Sequence, residues 1–229
     1  MANRFLVREQ TSSLLFSAAA DRIDVTSVAS QNNLTSFSFS CWFNPINGGG
    51  GNLGRIFSKG TGSTFVYTLV YSTANMQLIT GHATQGKWDI PLTSNRIWHF
   101  ICITYNSSSL SNTPIFYLDG TTPSVNLTQA PVGSLQADNT IFTIGNNSNN
   151  NRNFGGYLND IKWFNRVLTS SEVSALYYNN SNPSNTLVGY WRLNENTGST
   201  ATDSTGNANG TITGATWSTY RQFGARSLV

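Results

Sequence analysis

The residues that could carry out chemistry are few and widely separated. The chain has ten Asp and Glu residues and two histidines, His82 and His99, among 229 residues. Hydrolysis of a glycosidic bond needs two carboxyl groups, roughly 5 Å apart for retention or roughly 6.5 to 9.5 Å apart for inversion. The closest candidate pair, Asp21 and Asp24, lies in a predicted turn, and the histidines fit no Ser-His-Asp, Cys-His or zinc spacing. The sequence therefore predicts a protein that is not an enzyme.

The composition argues against several classes of partner. Only 10% of the residues are charged, whereas soluble domains average roughly 25%. The net charge is +3, but the basic residues are scattered, so no nucleic-acid footprint is predicted. No apolar stretch approaches the roughly 20 residues of a membrane span. Residues 1–17 lack the apolar region and cleavage site of a secretory signal, so no signal peptide is expected.

Short strand-like segments separated by Gly, Asn, Ser and Pro fill most of the chain. In TSFSFSCWFNP (35–45), Phe37, Phe39, Cys41 and Phe43 alternate with Ser38, Ser40 and Trp42, which is the period of a half-buried strand. Many such segments predict an all-β fold, an antiparallel β-sandwich or jelly roll. Cys41 and Cys102 both lie in apolar segments and are predicted to be buried thiols, with a disulfide as the alternative if their strands are neighbours.

One short helix is predicted over residues 169–178. Thr169 and Glu172 have the T-x-x-E spacing of a capping box. Val173, Leu176 and Tyr177 follow at helical spacing and would share one apolar face. We expect this helix to pack against the sandwich.

Six segments occur in the order typical of one known family. The segment GYLNDIKWFNRVLTSSEVSALY (156–177) is preceded by SLLFSAAADRIDV (13–25), FSFSCWFNP (37–45), RIWHFICITYN (96–106), FYLDG (116–120) and FTIGN (142–146). Together they resemble the laminin-G-like, concanavalin A-like jelly-roll domains, in which FYLDG would be a hairpin. The resemblance implies a single domain, 1–229, with a laminin-G-like core over 11–178. Catalytic jelly rolls of this kind carry a Glu-x-Asp-x-x-Glu strand, which the chain lacks.

Some members of this family hold a structural calcium ion with carboxylates. Here Ser17-Ala18 stands in place of the usual Asp-Gly and Leu158-Asn159 in place of Ile-Asp, so that site is not expected to be inherited. A second candidate metal site consists of Asp203, Asn207 and Asn209, which resemble the family's Asp-x-x-Gly-Asn turn. Their oxygens could hold Ca²⁺, or the turn could be closed by hydrogen bonds alone.

The C-terminal segment 187–229 resembles the segment that usually begins such a domain. It contains the Gly-x-Trp-x-Leu-x-Glu pattern around Trp191 and a Phe-Gly-x-x-x-Leu run near the end. Either the chain is circularly permuted and the segment completes its own sandwich, or the segment completes a neighbouring subunit. The intramolecular arrangement is favoured, because the connection YNNSNPSN is long enough for a reversal.

The resemblance to lectin-like jelly rolls implies that aromatic rings and amides bind sugars. Trp42, Trp98, Trp163 and Trp191 fall on family core positions and are predicted to be structural. The candidate ligand-binding residues are two tryptophans outside these positions and four amides of a polar loop, namely Trp88, Trp217, Asn146, Asn147, Asn149 and Asn151. The alternative for the four amides is that they only solvate the loop.

Two functions are compatible with this pattern. The first is a lectin-like module that binds cell-surface or polymeric glycans. The second is a virion structural protein, such as a bacteriophage decoration, fibre or tail accessory protein, that acts through assembly into oligomers. Both imply a location on a virion or outside the cell.

Overall fold

The structure is a computed structural model that describes residues 12–61, 64–92, 94–179, 181–183 and 186–220. The described strands, in chain order, are β1 Ser13–Phe16, β2 Arg22–Val25, β3 Ser36–Pro45, β4 Gly54–Thr61, β5 Thr64–Tyr71, β6 Asn75–Thr80, β7 His82–Thr84, β8 Gly86–Pro91, β9 His99–Asn106, β10 Ile115–Leu118, β11 Asn126–Gln129, β12 Val132–Leu135, β13 Phe142–Ile144, β14 Gly156–Phe164, β15 Leu187–Trp191, β16 Thr200–Ala201, β17 Gly210–Thr213 and β18 Thr216–Ser218. The helices are α1, Ser170–Asn179, and two 3₁₀ turns, Ala29–Gln31 and Gly50–Asn52.

Two antiparallel sheets form the sandwich. The seven-stranded sheet has the order β10-β9-β3-β14-β1-β18, with β15 also paired to β14. The nine-stranded sheet has the order β11-β8-β6-β5-β4-β13-β2-β17-β16, and β7 and β12 form a separate pair. The predicted all-β, antiparallel sandwich is therefore confirmed.

Strand β3 shows how the alternating pattern builds the core. Phe37, Phe39, Cys41 and Phe43 are fully buried between the sheets, as predicted. Trp163 of β14 lies beside them, stacked on Phe37 with 5.0 Å between ring centroids. Aromatic pairs of this kind contribute about 0.5–1.5 kcal/mol beyond the area that they bury.

The two cysteines are free thiols, and both are buried. Strands β3 and β9 are neighbours, but Cys41 is opposite Ile101 and Cys102 is opposite Ser40. The cysteines therefore face opposite sides of the sheet, Cys41 towards the core and Cys102 towards α1. This confirms the predicted buried thiols and rules out the disulfide in this register.

The predicted hairpin at FYLDG (116–120) forms its turn, at Asp119-Gly120, but not its second strand. Both residues have positive φ, 49° and 78°, and the turn is closed by reciprocal Leu118 and Thr121 backbone hydrogen bonds of 2.9 Å. The chain then leaves the sheet, because the next strand, β11, pairs with β8 of the other sheet. Pro123 follows the turn and has no N–H to continue the ladder.

Residues 187–220 fold back onto their own chain. Strand β15 pairs with the second half of β14, β17 pairs with β2, and β18 pairs with β1. The segment thereby adds strands to both sheets, and Trp191 is fully buried with its ring 5.6 Å from that of Phe142. Residues 221–229 of the predicted C-terminal segment, like residues 1–11 of the predicted domain, lie outside the described residues.

Helix α1 is closed at its start by the predicted capping box. The Thr169 N–H donates to Glu172 Oε2 at 2.9 Å, and the Glu172 N–H donates to Thr169 Oγ1 at 3.3 Å. Val173 and Leu176 are buried against Trp42 and Phe100 on the outer face of the seven-stranded sheet. No helix in the described part of the chain has the length and apolar character needed to cross a membrane.

Protonation of Glu172 is expected to loosen the start of α1. Arg166 first, and then Thr169, lower the pKa of Glu172 from 4.5 to about 2. A folded-state pKa below the unfolded value means that the stabilisation is complete above about pH 4.5 and disappears as the pH falls towards 2. The melting temperatures of the wild type and Glu172→Gln should therefore differ most above pH 4.5 and converge in acid. A pH-independent difference between the two proteins would show that the carboxylate charge is not what stabilises the helix.

Candidate functional site

Trp88 is not an exposed binding residue, so this prediction is wrong. It lies in the middle of β8, is 1% exposed, and its ring centroid is 5.4 Å from that of Tyr105 in the core. It is opposite Leu78, which also faces the core, whereas Lys87 and Asp89 on either side face outward. Alternation within β8 therefore places Trp88 inside the sandwich.

Two of the four predicted loop amides are structural. The Asn146 amide donates to the Ala19 and Asp21 carbonyls at 2.7 and 3.1 Å, and its Oδ1 accepts from the Arg152 N–H at 2.9 Å. Asn147, also buried, donates from its amide to Asn151 Oδ1 at 3.0 Å. The expectation that Asn146 and Asn147 bind a ligand is therefore wrong.

Asn149 and Asn151, by contrast, are exposed in this loop. Trp217 on β18 is half-buried against the core, and its Nε1 donates to the Gly198 carbonyl at 2.8 Å. Asn149 thus keeps an accessible amide, and Asn151 keeps its NH₂ group while its Oδ1 accepts from Asn147; the Trp217 indole N–H is occupied by the chain itself.

The Asp203 turn is closed by hydrogen bonds. Asp203 is 4% exposed and its carboxylate accepts five hydrogen bonds from the protein. The donors are the backbone N–H groups of Tyr190, Thr205, Asn207 and Ala208 and the Thr205 hydroxyl, at 2.7–3.2 Å. Asn209 Oδ1 accepts from the Asp203 N–H, and the Asn207 amide donates to the Val188 carbonyl.

These residues do not fit a calcium ion. Ca²⁺ takes six to eight oxygen ligands, but the roughly four lone-pair positions of the Asp203 carboxylate already face N–H and O–H donors. In the described ranges, no group of three or more His, Cys, Asp and Glu side chains could hold a metal ion. The geometry instead assigns Asp203, Asn207 and Asn209 to the alternative of a turn closed without metal.

An exposed group of aromatic rings lies on the outer face of the seven-stranded sheet. We call Trp98, Tyr157 and Tyr220 the aromatic cluster. The Tyr220 ring is 4.9 Å from that of Tyr157 and 6.0 Å from that of Trp98, with an interplanar angle of 26° to the indole. Tyr220 is 45% exposed, whereas Trp98 and Tyr157 are half-buried beside it. Trp98, expected to be structural, therefore lies at the surface and not between the sheets.

The strands and one loop fix the positions of these rings. Tyr157 is opposite Leu15 of β1 and Asn44 of β3, and the Asn44 amide donates to the Tyr220 hydroxyl at 3.3 Å. Trp98 ends the loop 94–98, where the Arg96 N–H donates to the Pro45 carbonyl at 2.7 Å.

His99 anchors the same loop from inside. Its Nδ1 is 2.6 Å from Asp119 Oδ2, and its Nε2 is 3.2 Å from Ser94 Oγ. The His99 side chain itself is buried. The aromatic cluster is thus held by backbone and side-chain contacts that do not depend on a ligand.

Loops 46–53, 94–98 and 146–155 meet beside the aromatic cluster at one end of the sandwich. We call this group of three loops the loop end. The backbone N–H groups of Ile46 and Asn47 donate to the Gly155 carbonyl at 2.9 and 3.2 Å. Gly155 has a φ of +76°, and a side chain there would run into Asn47. The loop end also carries exposed amides, namely Asn47, Asn95, Asn149 and Asn151.

Sequence reasoning missed Tyr157 and Tyr220. Tyr157 alternates with the core residue Leu158, so its outward direction was available from the strand period. Tyr220 gives no such signal, because it reaches the cluster only through the pairing of β18 with β1, more than 200 residues away in sequence.

The comparisons with known proteins agree with this architecture. The family model described as the concanavalin A-like lectin/glucanases superfamily matches residues 17–174. No curated protein sequence matches the chain.

Several solved structures share the fold at low sequence identity. A presumed carbohydrate-binding protein from Bacteroides ovatus is 18% identical, with a TM-score of 0.68 over 92% of this chain and 60% of that one. A heptameric SAP-like pentraxin from Limulus polyphemus is 13% identical, with a TM-score of 0.55 over 73% of this chain and 82% of the pentraxin. A botulinum neurotoxin type C structure is 14% identical, with a TM-score of 0.51 over 71% of this chain and 41% of that one. The chain thus spans less than two thirds of the first of these proteins and less than half of the third. With a family match over more than half of its residues, the chain belongs to the concanavalin A-like lectin/glucanase superfamily.

Proposed function

We propose that the chain is a non-catalytic glycan-binding module and that its aromatic cluster is the sugar-binding surface. The observation that carries the proposal is the ring of Tyr220, which is 45% exposed yet held in place by Trp98 and Tyr157. The C–H faces of a sugar ring are apolar and its hydroxyls are polar, so a fixed aromatic ring bordered by amides suits it. A ring that is already ordered loses little conformational entropy when the sugar binds.

The loop end supplies the polar groups that such a site needs. Asn47 and Asn95 are exposed on two of its loops, and Asn149 and Asn151 on the third. A side-chain amide has two donors and one acceptor oxygen, so it can bond to hydroxyls in either direction. Such amides would fix the orientation of a sugar stacked on Tyr220.

The acids of the chain support binding without catalysis. Glu9 lies outside the described residues, and each of the other nine Asp and Glu side chains accepts a hydrogen bond from its own chain. Asp138 and Asp160 are buried beside Lys59 and Lys162, respectively. A glycosidase instead needs an acid and a second carboxylate free to face the scissile bond.

Two structural relatives are consistent with this function. The Bacteroides ovatus protein is described as a presumed carbohydrate-binding protein, and cell entry of botulinum neurotoxin type C is described as dependent on two ganglioside molecules. Because the fold hosts many functions, the aromatic cluster and not the fold carries the proposal.

Removal of the Tyr220 ring is expected to weaken glycan binding roughly tenfold, the equivalent of about 1.4 kcal/mol. A glycan array on the wild-type protein would identify the strongest ligand. Titration calorimetry with that ligand would then compare the wild type with Tyr220→Ala and Tyr157→Ala.

Tyr178→Ala is the matched control. Tyr178 is also a tyrosine and is 58% exposed, but its ring contacts Tyr177 of α1 and not the aromatic cluster. Unchanged affinity in Tyr220→Ala, or equal losses in Tyr220→Ala and Tyr178→Ala, would place the sugar elsewhere.

The virion structural role is the competing hypothesis. It predicts a stable oligomer, whereas a glycan-binding module of this kind can act as a monomer. Size-exclusion chromatography with light scattering separates the two: a defined oligomer that binds no glycan on the array would favour assembly.

A further inference from the structure

Two arginines, Arg55 and Arg152, lie on paired backbone segments at the loop end, and neither has an acidic partner among the described residues. Arg55 is the second residue of β4, and its backbone N–H donates to the Arg152 carbonyl at 2.9 Å. The Arg152 side chain donates to the Gly50 carbonyl at 3.2 Å, and the Arg55 side chain makes a long contact of 3.4 Å to the Leu53 carbonyl. A guanidinium group has five N–H donors, so most donors of both groups remain available.

Arg55 and Arg152 differ from two other described arginines, which form ion pairs with acids. Arg22 is paired with Asp24 and Arg166 with Glu172, but no described carboxylate lies within ion-pair distance of Arg55 or Arg152. Burial and the neighbouring Arg152 lower the pKa of Arg55 to about 10. Two like charges held close together and partly removed from water cost free energy, which an anion between them would recover.

Strand pairing brings no described acid next to the two arginines. The loop beside them is built from glycines, and Gly51 lies so close to the Arg152 guanidinium that a side chain there would run into it. On the sheet, Arg55 is opposite Val70 of β5, and Val70 is opposite Gln77 of β6. Gln77 is in turn opposite Asp89 of β8, the first acid in this line of paired residues. Asp89 is three strands from Arg55, or about 14 Å at the usual strand spacing.

We propose that Arg55 and Arg152 form an anion-binding subsite that takes a carboxylate or sulfate group of an acidic glycan. The planar guanidinium fork matches both groups with two parallel hydrogen bonds. That the anion belongs to a glycan rests on the function proposed above. Arg152 is five residues from Tyr157, so their Cα atoms are at most about 18 Å apart, and one glycan chain could reach both surfaces.

A thermal unfolding experiment tests the anion site without any glycan. Sodium sulfate should raise the melting temperature of the wild type more than that of Arg55→Gln, with sodium chloride at matched ionic strength as reference. Sulfate also stabilises proteins in general, so the difference between the two proteins is the measurement. Lys87→Gln is the matched control, since it removes one half-buried cation from the same sheet face. Equal sulfate shifts in all three proteins would overturn the proposal.

Binding measurements then identify the source of the anion. Heparin presents sulfates, polygalacturonate presents carboxylates alone, and dextran is neutral. Arg55→Gln should weaken binding of at least one acidic polymer roughly tenfold or more, with no change for dextran and no such loss in Lys87→Gln. Arg55→Lys should restore only part of the affinity, because it keeps the charge and loses the fork.

The two proposals can fail separately. If Arg55→Gln changes the sulfate shift but Tyr220→Ala changes no glycan affinity, the anion site stands and the aromatic sugar site falls. If Tyr220→Ala weakens glycan binding while Arg55→Gln leaves the sulfate shift and every polymer affinity unchanged, the anion site falls and the sugar site stands.

Discussion

A chain that ends at Asn182 is expected to lose cooperative folding. It would lack β15 to β18, which exposes the second half of β14 and one edge each of β1 and β2. It would also lack Trp191, whose ring is fully buried and whose Nε1 donates to the Ala208 carbonyl at 3.1 Å. Near-ultraviolet circular dichroism and thermal unfolding should show no sharp transition, and unpaired strand edges should cause aggregation.

The point substitution Trp191→Ala measures the packing part of this effect. Truncation of a buried Trp typically costs about 3–5 kcal/mol, a large share of the roughly 5–15 kcal/mol that stabilises an average domain. Trp191→Phe is the control: it keeps an aromatic ring, loses the bond to Ala208 and should cost less. If the chain that ends at Asn182 is monomeric and melts at the wild-type temperature, then residues 187–220 are not needed to cover the strand edges of β1, β2 and β14.

The same experiment distinguishes folding within one chain from exchange between chains. In the structure, β15, β17 and β18 pair with strands of their own chain. A full-length monomer in light scattering is the expected result. A dimer that the Asn182-terminated chain cannot form would instead indicate exchange of the C-terminal segment.

Features set by neighbouring residues could be predicted from the sequence. The alternation of Phe37, Phe39, Cys41 and Phe43 placed β3 correctly, because side chains of a strand alternate between its faces. The capping box of Thr169 and Glu172 placed α1 within one residue of its observed bounds. The family segments predicted the sandwich, since they carry many such local patterns in a fixed order.

The candidate site could not be predicted in the same way, because it depends on contacts between distant strands. Trp88 was expected at the surface for lack of a family core position, yet its register with Leu78 buries it. Asn146 was taken for a free amide, but Ala19 and Asp21, more than 120 residues away, occupy it. Tyr220 reaches the aromatic cluster only because β18 pairs with β1, and Arg55 lies beside Arg152 only because the loop around Arg152 contacts β4.

Asp203→Asn is expected to be among the most destabilising isosteric substitutions in the chain. The carboxylate accepts five hydrogen bonds from β15 and its own turn, and it joins Tyr190 to the segment 205–208. An amide would turn its NH₂ group towards N–H donors, so at least two bonds would be lost with their donors still buried. Hydrogen bonds to a charged group contribute about 1.5–3 kcal/mol each, which predicts a loss of about 3–5 kcal/mol and a melting temperature lower by roughly 10 °C.

Asp24→Asn is the matched control, because it makes the same chemical change on β2, the strand next to β17. Asp24 forms a partly exposed ion pair with Arg22, and such pairs are usually worth less than about 1 kcal/mol.

A second experiment measures whether calcium stabilises the protein. The Asp203 oxygens already accept hydrogen bonds from N–H and O–H donors of the chain, so we expect no calcium ion to bind there. Calcium chloride and a chelator should therefore leave the wild-type melting temperature unchanged. A clear rise with calcium that disappears in Asp203→Asn would mean that the turn rearranges around a metal ion and that its carboxylate is a ligand after all.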